Sequence, residues 1–251
     1  MKFTYFLIDL FSVLVPFVFS FHPRLKFYKY WAVLFPAIIL TGGVFIDWDM
    51  YFTHLKICGF NLEYLTGTHI GNLPIEEVLF FLCIPYSCIF THACMNVMIK
   101  RTISKRKQLI VSLALIALSV FMVFRFHSLN YTGYTFVVLA LLLFTVQFIL
   151  KANWLSRFYI TYFLLLLPFL IVNGLLTDTG LNRPVVWYNQ AHIIGLRILT
   201  IPVEYIFYGI DLILLNILIY TVLSESIYER CKSHRKGINS SQHFTYTNTI
   251  S

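Results

Sequence analysis

Seven stretches of mostly apolar residues run through this chain of 251 residues, and each is close to the length of about 20 residues that a helix needs to cross a bilayer. Hydrophobic residues make up 59% of the chain and charged residues 12%, against about 25% charged residues in a typical globular protein. This pattern predicts an all-α, polytopic membrane protein with about seven transmembrane helices. The stretches lie near 3–21, 30–46, 74–98, 109–126, 132–150, 158–176 and 201–223.

The basic residues are divided unevenly between the two sides of the predicted spans. Of the 19 Lys and Arg residues, fourteen fall on one side and five on the other. By the positive-inside rule, this predicts an integral protein of the cell (inner) membrane with its N-terminus outside and its C-terminus in the cytoplasm. The net charge of +8 therefore marks loops beside the membrane and does not indicate a nucleic-acid partner.

No metal or cofactor site is predicted. The five cysteines include no C-x-x-C pair, and the histidines lack the spacing of a zinc site. Asp47 and Asp49 form an Asp-x-Asp pair, but no further acidic or His ligand follows them at helical spacing. The chain also lacks a G-x-G-x-x-G motif and a phosphate-binding loop.

The sequence contains an internal repeat. The segment 30–36 aligns with the segment 162–168 at an offset of about 132 residues, and the segment 73–77 aligns with 201–205 at about 128. Because one additional span separates the two copies, equivalent helices would point the same way through the membrane, which makes the repeat parallel. The sequence therefore predicts two tandem three-helix modules with one linking helix. We place the first module at 1–100, the basic loop and linking helix at 101–128, the second module at 129–228 and a polar cytoplasmic tail at 229–251.

Three glutamates lie in the first turn of apolar spans, where a charge deep in the bilayer costs at least about 2.5 to 3.5 kcal/mol. They are Glu76, Glu77 and Glu204. One interpretation is structural, because Pro74 and Pro202 favour helix starts and a helix N-terminus stabilises a carboxylate. The other is a shared acidic site on one side of the membrane, in which a buried carboxyl stays protonated and donates its proton.

Three motifs in the first half resemble those of the membrane-integral lycopene cyclase family. They are Phe-x-x-Trp-Asp-x-Tyr-Phe-Thr-His at 45–54, Gly-Phe-Asn-x-x-Tyr-Leu-Thr-Gly at 59–67, and Asn-Leu-Pro-Ile-Glu-Glu-Val-Leu-Phe-Phe at 72–81. The chain resembles the fused form of the bacterial two-subunit lycopene β-cyclase and is similar to the cyclase half of fungal phytoene synthase/lycopene cyclase enzymes. The resemblance extends to about Glu225, and the family's two tandem three-helix modules coincide with the repeat described above.

The resemblance implies an isomerase (intramolecular lyase) that cyclises the linear ψ end groups of lycopene to β-ionone rings without a cofactor. Glu76 and Glu77 fall on the family's Pro-x-Glu-Glu motif, and Glu204 falls on the first acid of its second copy. Tyr205 departs from the pattern, because the family usually has a second acid there. The residues expected to bind the substrate and shelter the carbocation are Phe45, Trp48, Tyr51, Phe80, Phe81 and Tyr205.

Several alternatives stay open on the sequence. A carotenoid hydratase would use the same type of cation, and a noncatalytic carotenoid-binding membrane protein would tolerate loss of the paired acids. An aromatic belt at the membrane interface also explains Trp48 and Tyr51. A retinal-binding seven-helix protein is disfavoured, since the span 201–223 has no lysine. The expected partners are lycopene or γ-carotene, membrane lipid and other enzymes of the carotenoid pathway.

Overall fold

A computed structural model describes residues 2–99 and 102–247, with side chains described through Ser226. This part of the chain contains seven α-helices. They are α1 (Thr4–Phe19), α2 (Trp31–His54), α3 (Ile75–Met98), α4 (Lys105–Arg125), α5 (Asn130–Phe144), α6 (Leu155–Leu176) and α7 (Val203–Thr247). A π-helical turn, Thr145–Ile149, extends α5. Six of the helical segments are long and apolar enough to span a membrane, and α1 is a shorter apolar helix. The prediction of an all-α, polytopic membrane protein is confirmed.

The second helix is longer than its apolar stretch. The sequence places the end of this span near residue 46, whereas α2 continues to His54. The charged pair that interrupts the hydropathy is split between two faces of the helix, with Asp47 exposed and Asp49 buried. The cost of an acid in a helix depends on the side it faces, so a boundary drawn from average hydropathy was wrong here.

Short antiparallel strands, absent from the sequence prediction, organise the loops on the side where α3 and α7 begin. Strand β1 (Cys58–Phe60) pairs with β4 (Val186–Tyr188). Strands β2 (His69–Ile70) and β3 (Leu73–Pro74) form a hairpin before α3, and β5 (Arg197–Ile198) and β6 (Ile201–Pro202) form another before α7. In each module, therefore, a short hairpin with strands of two residues immediately precedes the third helix.

The backbone repeats itself at the offset found in the sequence. Gly59 lies opposite Trp187, and these positions are 128 residues apart in the chain. The strand pairing is thus self-complementary about this point, as it would be about a twofold axis along the membrane normal. A Cβ on residue 59 would come within 2.3 Å of the Trp187 ring, so glycine is required for the close approach of the two copies.

The two copies pack against each other through their second and third helices. Helix α2 of the first copy packs on α7 of the second, and α3 packs on α6. Within each copy the first helix packs on the third, and α4 lies against α5. The buried apolar residues form two clusters. One of them contains most of the buried aromatic rings around the start of α3 and lies beside the candidate site.

Candidate active site

Glu76 and Glu204 occupy equivalent places and fasten equivalent loops. The Oε1 atom of Glu76 accepts a hydrogen bond from the backbone N–H of Thr66 at 2.6 Å. The Oε1 atom of Glu204 accepts one from the N–H of Ile194 at 2.7 Å and another from the hydroxyl of Thr132 at 2.8 Å. Both side chains are fully buried. Each carboxylate therefore holds the loop that precedes its own helix, as a structural role requires.

Pro74 and Pro202 lie immediately before the first residues of α3 and α7. Each proline closes its hairpin, with Pro74 paired to His69 and Pro202 to Arg197. The ring fixes the backbone φ angle just ahead of the helix. The prolines thus orient the first turn that carries Glu76, Glu77 and Glu204.

Replacing Glu204 distinguishes a structural role of this carboxylate, in which it fastens the loop, from a catalytic role. Glu204→Leu will leave the Ile194 N–H and the Thr132 hydroxyl without their acceptor, and each unpaired buried donor costs about 1–3 kcal/mol. Glu204→Gln keeps an acceptor oxygen and will cost much less. Thermal unfolding of the two purified variants in detergent measures the difference, with Glu225→Gln on the exposed part of α7 as the control. Equal stability of the Leu and Gln variants would contradict the loop-fastening role.

Glu77 has different surroundings from its neighbour. Its carboxyl accepts a hydrogen bond from the Tyr5 hydroxyl at 2.6 Å and interacts electrostatically with the carboxyl of Asp49. The Tyr208 hydroxyl lies 3.4 Å from Asp49 Oδ2. Both side chains are buried, and two neighbouring buried carboxyl groups disfavour a second negative charge, so the Asp49–Glu77 pair is suited to hold one proton.

A further acid faces the same place from α1. Asp9 is 1% exposed, and neither of its carboxylate oxygens has a hydrogen-bond partner among the described residues. It interacts electrostatically with Glu76 and Glu77. Three helices, α1, α2 and α3, therefore bring four acidic side chains into one buried region, which we call the acidic cluster (Asp9, Asp49, Glu76 and Glu77).

Aromatic rings lie beside the acidic cluster. The Phe45 ring lies edge-on to Tyr208, with centroids 5.1 Å apart, and is stacked on Trp48 at 5.9 Å. The ring centroid of Phe81 lies 6.2 Å from that of Phe45. The Phe80 ring contacts the Phe81 ring edge-on, with centroids 5.7 Å apart. Such rings present π faces that attract a cation. Four of the aromatic residues named from the sequence thus lie in one wall.

Tyr51 lies outside this wall. Half of its surface is exposed, whereas its neighbour Phe52 is buried and contacts Trp48 edge-on at 5.6 Å. The position of Tyr51 matches that of an aromatic side chain at a membrane interface.

Tyr205 replaces a carboxyl at the place in α7 that corresponds to Glu77. It accepts a hydrogen bond from the Tyr188 hydroxyl, its ring lies 6.0 Å from that of Tyr208, and it interacts electrostatically with Glu77. Burial raises the pKa of Tyr188 in strand β4 well above its usual range, so this hydroxyl is protonated and able to donate. The second copy therefore contributes phenols, not a second carboxyl pair, to the shared site.

Sequence reasoning missed four side chains of this region: Tyr5, Asp9, Asp49 and Tyr208. Asp9 offered a signal, because an acidic residue within an apolar span is a functional candidate by default. Asp49 stands out in the sequence only as half of the Asp-x-Asp pair with Asp47. Tyr5 and Tyr208 carry no signal in the sequence, since aromatic residues are common throughout the chain.

Comparison with known proteins agrees with this architecture. A family model described as lycopene cyclase matches the chain in two segments, residues 2–95 and 128–223. The two segments together cover well over half of the chain and leave α4 between them. No curated protein and no solved structure gives a match.

Proposed function

The chain belongs to the lycopene cyclase family, and we propose that it is an isomerase that converts the linear ψ end groups of lycopene to β-ionone rings. The observation that carries the proposal is the buried Asp49–Glu77 carboxyl pair against a wall of aromatic rings. The pair supplies a proton in a place where water is excluded, which is what the first step of this reaction needs.

The reaction transfers one proton in and one proton out at each end of the polyene. A carboxylic acid adds a proton to the terminal double bond, which leaves a tertiary carbocation. The next double bond attacks that cation and closes the six-membered ring, and the cation moves to a ring carbon. A carboxylate then removes a proton from the adjacent ring carbon, so a ring double bond forms and the product has the same composition as the substrate.

The site offers groups for each of these steps. Phe45, Trp48 and Tyr208 would stabilise the cation through their π faces, by roughly 0.5–2 kcal/mol each. The carboxyl that gives up its proton and the one that collects it would be neighbours in the Asp49–Glu77 pair. Proton transfer within the pair would then return the proton to the donor and make the site ready for another end group without an external acid.

The membrane supplies the substrate in this proposal. The polyene, lycopene or γ-carotene, dissolves in the bilayer, and the protein is an integral protein of the cell membrane with its N-terminus outside and its C-terminus in the cytoplasm. We also propose that the modules at 1–100 and 129–228 each contribute to one shared site. Other enzymes of the carotenoid pathway would be its partners in the same membrane.

Expression in a bacterium that accumulates lycopene tests the proposal. We expect a cyclic product with the mass of lycopene, and chromatography against authentic standards identifies the ring type. Purified protein equilibrated in deuterated water and then given preformed lycopene should add one deuterium to the first ring that each molecule forms, because the incoming proton comes from an exchangeable carboxyl. A product heavier by one water would identify a hydratase. Unchanged lycopene beside protein that is shown to be in the membrane would contradict the proposal.

A further inference from the structure

Two cavities lie side by side between α1 and α6. One of about 250 Å³ is enclosed by α1, α3, α6 and α7, and the other, of about 430 Å³, lies between α1 and the end of α6. They share Val172 as a wall residue. We call the two together the entry groove, and its walls include Leu7, Phe11, Ser87, Ile171 and Val172.

The entry groove leads from the outer surface toward the aromatic wall beside the acidic cluster. At its outer end, Leu7, Phe11 and Ile171 are exposed, so in a bilayer they contact lipid. At its inner end, a third, small cavity shares Ile84 and Phe169 with the groove and is also walled by Phe80, Tyr205 and Tyr208. This inner cavity measures about 10 Å³, so an apolar end group would reach the aromatic wall as the side chains between them move apart, without passing through water.

Serine and threonine hydroxyl groups along the groove already donate hydrogen bonds to backbone carbonyls. Ser12 donates to the carbonyl of Asp9 at 2.7 Å, Ser87 to the carbonyl of Ser12 at 2.9 Å, and Thr91 to the carbonyl of Ser87 at 2.8 Å. A polar occupant would lose its hydrogen bonds to water and find these donors occupied, which is costly. Apart from the amide oxygen of Asn173, which is unpaired among the described residues, the groove offers a polar occupant little, and its apolar walls favour a hydrocarbon chain.

The corresponding place on the other side of the molecule is filled. By the repeat, α2 and α5 are the counterparts of α6 and α1. Helix α2 continues for twelve residues past Gly42, whereas α6 ends two residues past the equivalent Gly174. The additional turns put Phe52 against Tyr131, with ring centroids 5.5 Å apart, and against Tyr134 at 5.6 Å.

We propose that a linear polyene enters from the lipid between α1 and α6, lies in the entry groove and presents one end group to the acidic cluster, so that its two ends react in separate binding events. This inference rests on the proposed function. Among the described residues, one carboxyl pair with one groove leading toward it would serve a substrate that has two equivalent ends. The polyene must leave and return in the opposite direction before its second end can react.

A pair of matched tryptophan substitutions tests the groove. Ile171 on α6 and Ile39 on α2 are equivalent in the repeat, and they are 58% and 62% exposed, so both positions tolerate a larger side chain. Ile171→Trp puts an indole across the mouth of the groove, and we expect KM for lycopene in reconstituted vesicles to rise about tenfold. Ile39→Trp should leave KM unchanged. Equal KM values for the two variants would overturn the proposed entry.

A binding measurement keeps this test independent of turnover. In a Glu77→Gln background, in which we expect cyclisation to be about 10²–10⁴-fold slower, the amount of lycopene that copurifies with the protein should fall with Ile171→Trp and not with Ile39→Trp. If the parent protein fails to cyclise lycopene and this difference persists, entry through the groove is supported and the proposed function is wrong. If the parent cyclises lycopene and the difference is absent, the groove is wrong and the function stands.

A time course tests the separate binding events. With lycopene in excess over protein, monocyclic product should accumulate before bicyclic product, and fresh lycopene added midway should suppress further bicyclic product by competition. A constant ratio of bicyclic to monocyclic product from the first turnover, unaffected by added lycopene, would overturn the inference.

Discussion

Replacing Glu77 by glutamine will slow lycopene cyclisation by about 10²–10⁴-fold, the usual contribution of a positioned general acid or base. The amide has nearly the same shape as the carboxyl and can still accept the hydrogen bond from Tyr5. It has no proton to give to an alkene and cannot share one with Asp49. Initial rates of cyclic product formation in vesicles with equal amounts of inserted protein measure the effect.

The neighbouring Glu76→Gln substitution is the matched control for this experiment. The two residues lie in the same helical turn and are both buried, but Glu76 fastens the loop at Thr66, and a glutamine oxygen can do the same. We expect Glu76→Gln, and likewise Glu204→Gln, to keep the rate within about tenfold of the parent. A loss as large as that of Glu77→Gln would instead place all three glutamates in the chemistry.

The helices could be read from the sequence because a bilayer leaves few alternatives. Every backbone polar group in the hydrocarbon must be satisfied within the chain, so each long apolar stretch has to form a helix. The repeat was also legible, since segments such as 73–77 and 201–205 combine a proline with an acid at one spacing. The two-residue strands gave no signal, because alternation over two residues cannot be distinguished from chance.

The acidic cluster could be predicted only in part. The sequence identifies Glu77 from its motif, but the partners of this side chain lie far away along the chain. Tyr5 is 72 residues from Glu77, and Tyr208 is 159 residues from Asp49. Such contacts depend on how the helices pack. Packing also distinguishes Glu76 from Glu77, since adjacent helical residues point about 100° apart and only one of them faces α2.

The repeat explains why the site is asymmetric. Two equivalent modules would give two carboxyl pairs, but Tyr205 stands where the second pair would have its counterpart of Glu77. Asp49 lies in the last turns of α2, and α6 ends before the equivalent turns. The second copy therefore lacks both members of the pair. It contributes instead the phenols of Tyr205 and Tyr208, which complete the wall around the first copy's acids.

Asp49→Asn will lower the cyclisation rate by about as much as Glu77→Gln, about 10²–10⁴-fold, because the two carboxyls share the proton that the reaction needs. The double variant Asp49→Asn/Glu77→Gln should be no slower than either single variant. Residues that act as one unit give losses that are strongly non-additive. Initial rates for the parent, the two single variants and the double variant form the cycle that measures the coupling.

Asp47→Asn provides the control on the same helix. Asp47 is two residues from Asp49 but exposed, and surface substitutions of this kind change little, so we expect a rate within about twofold of the parent. If the losses of rate from Asp49→Asn and Glu77→Gln multiply in the double variant, the two carboxyls act independently, and the hypothesis that they share one proton is wrong. If they do not multiply, the return of the proton through the pair accounts for repeated turnover without an external acid.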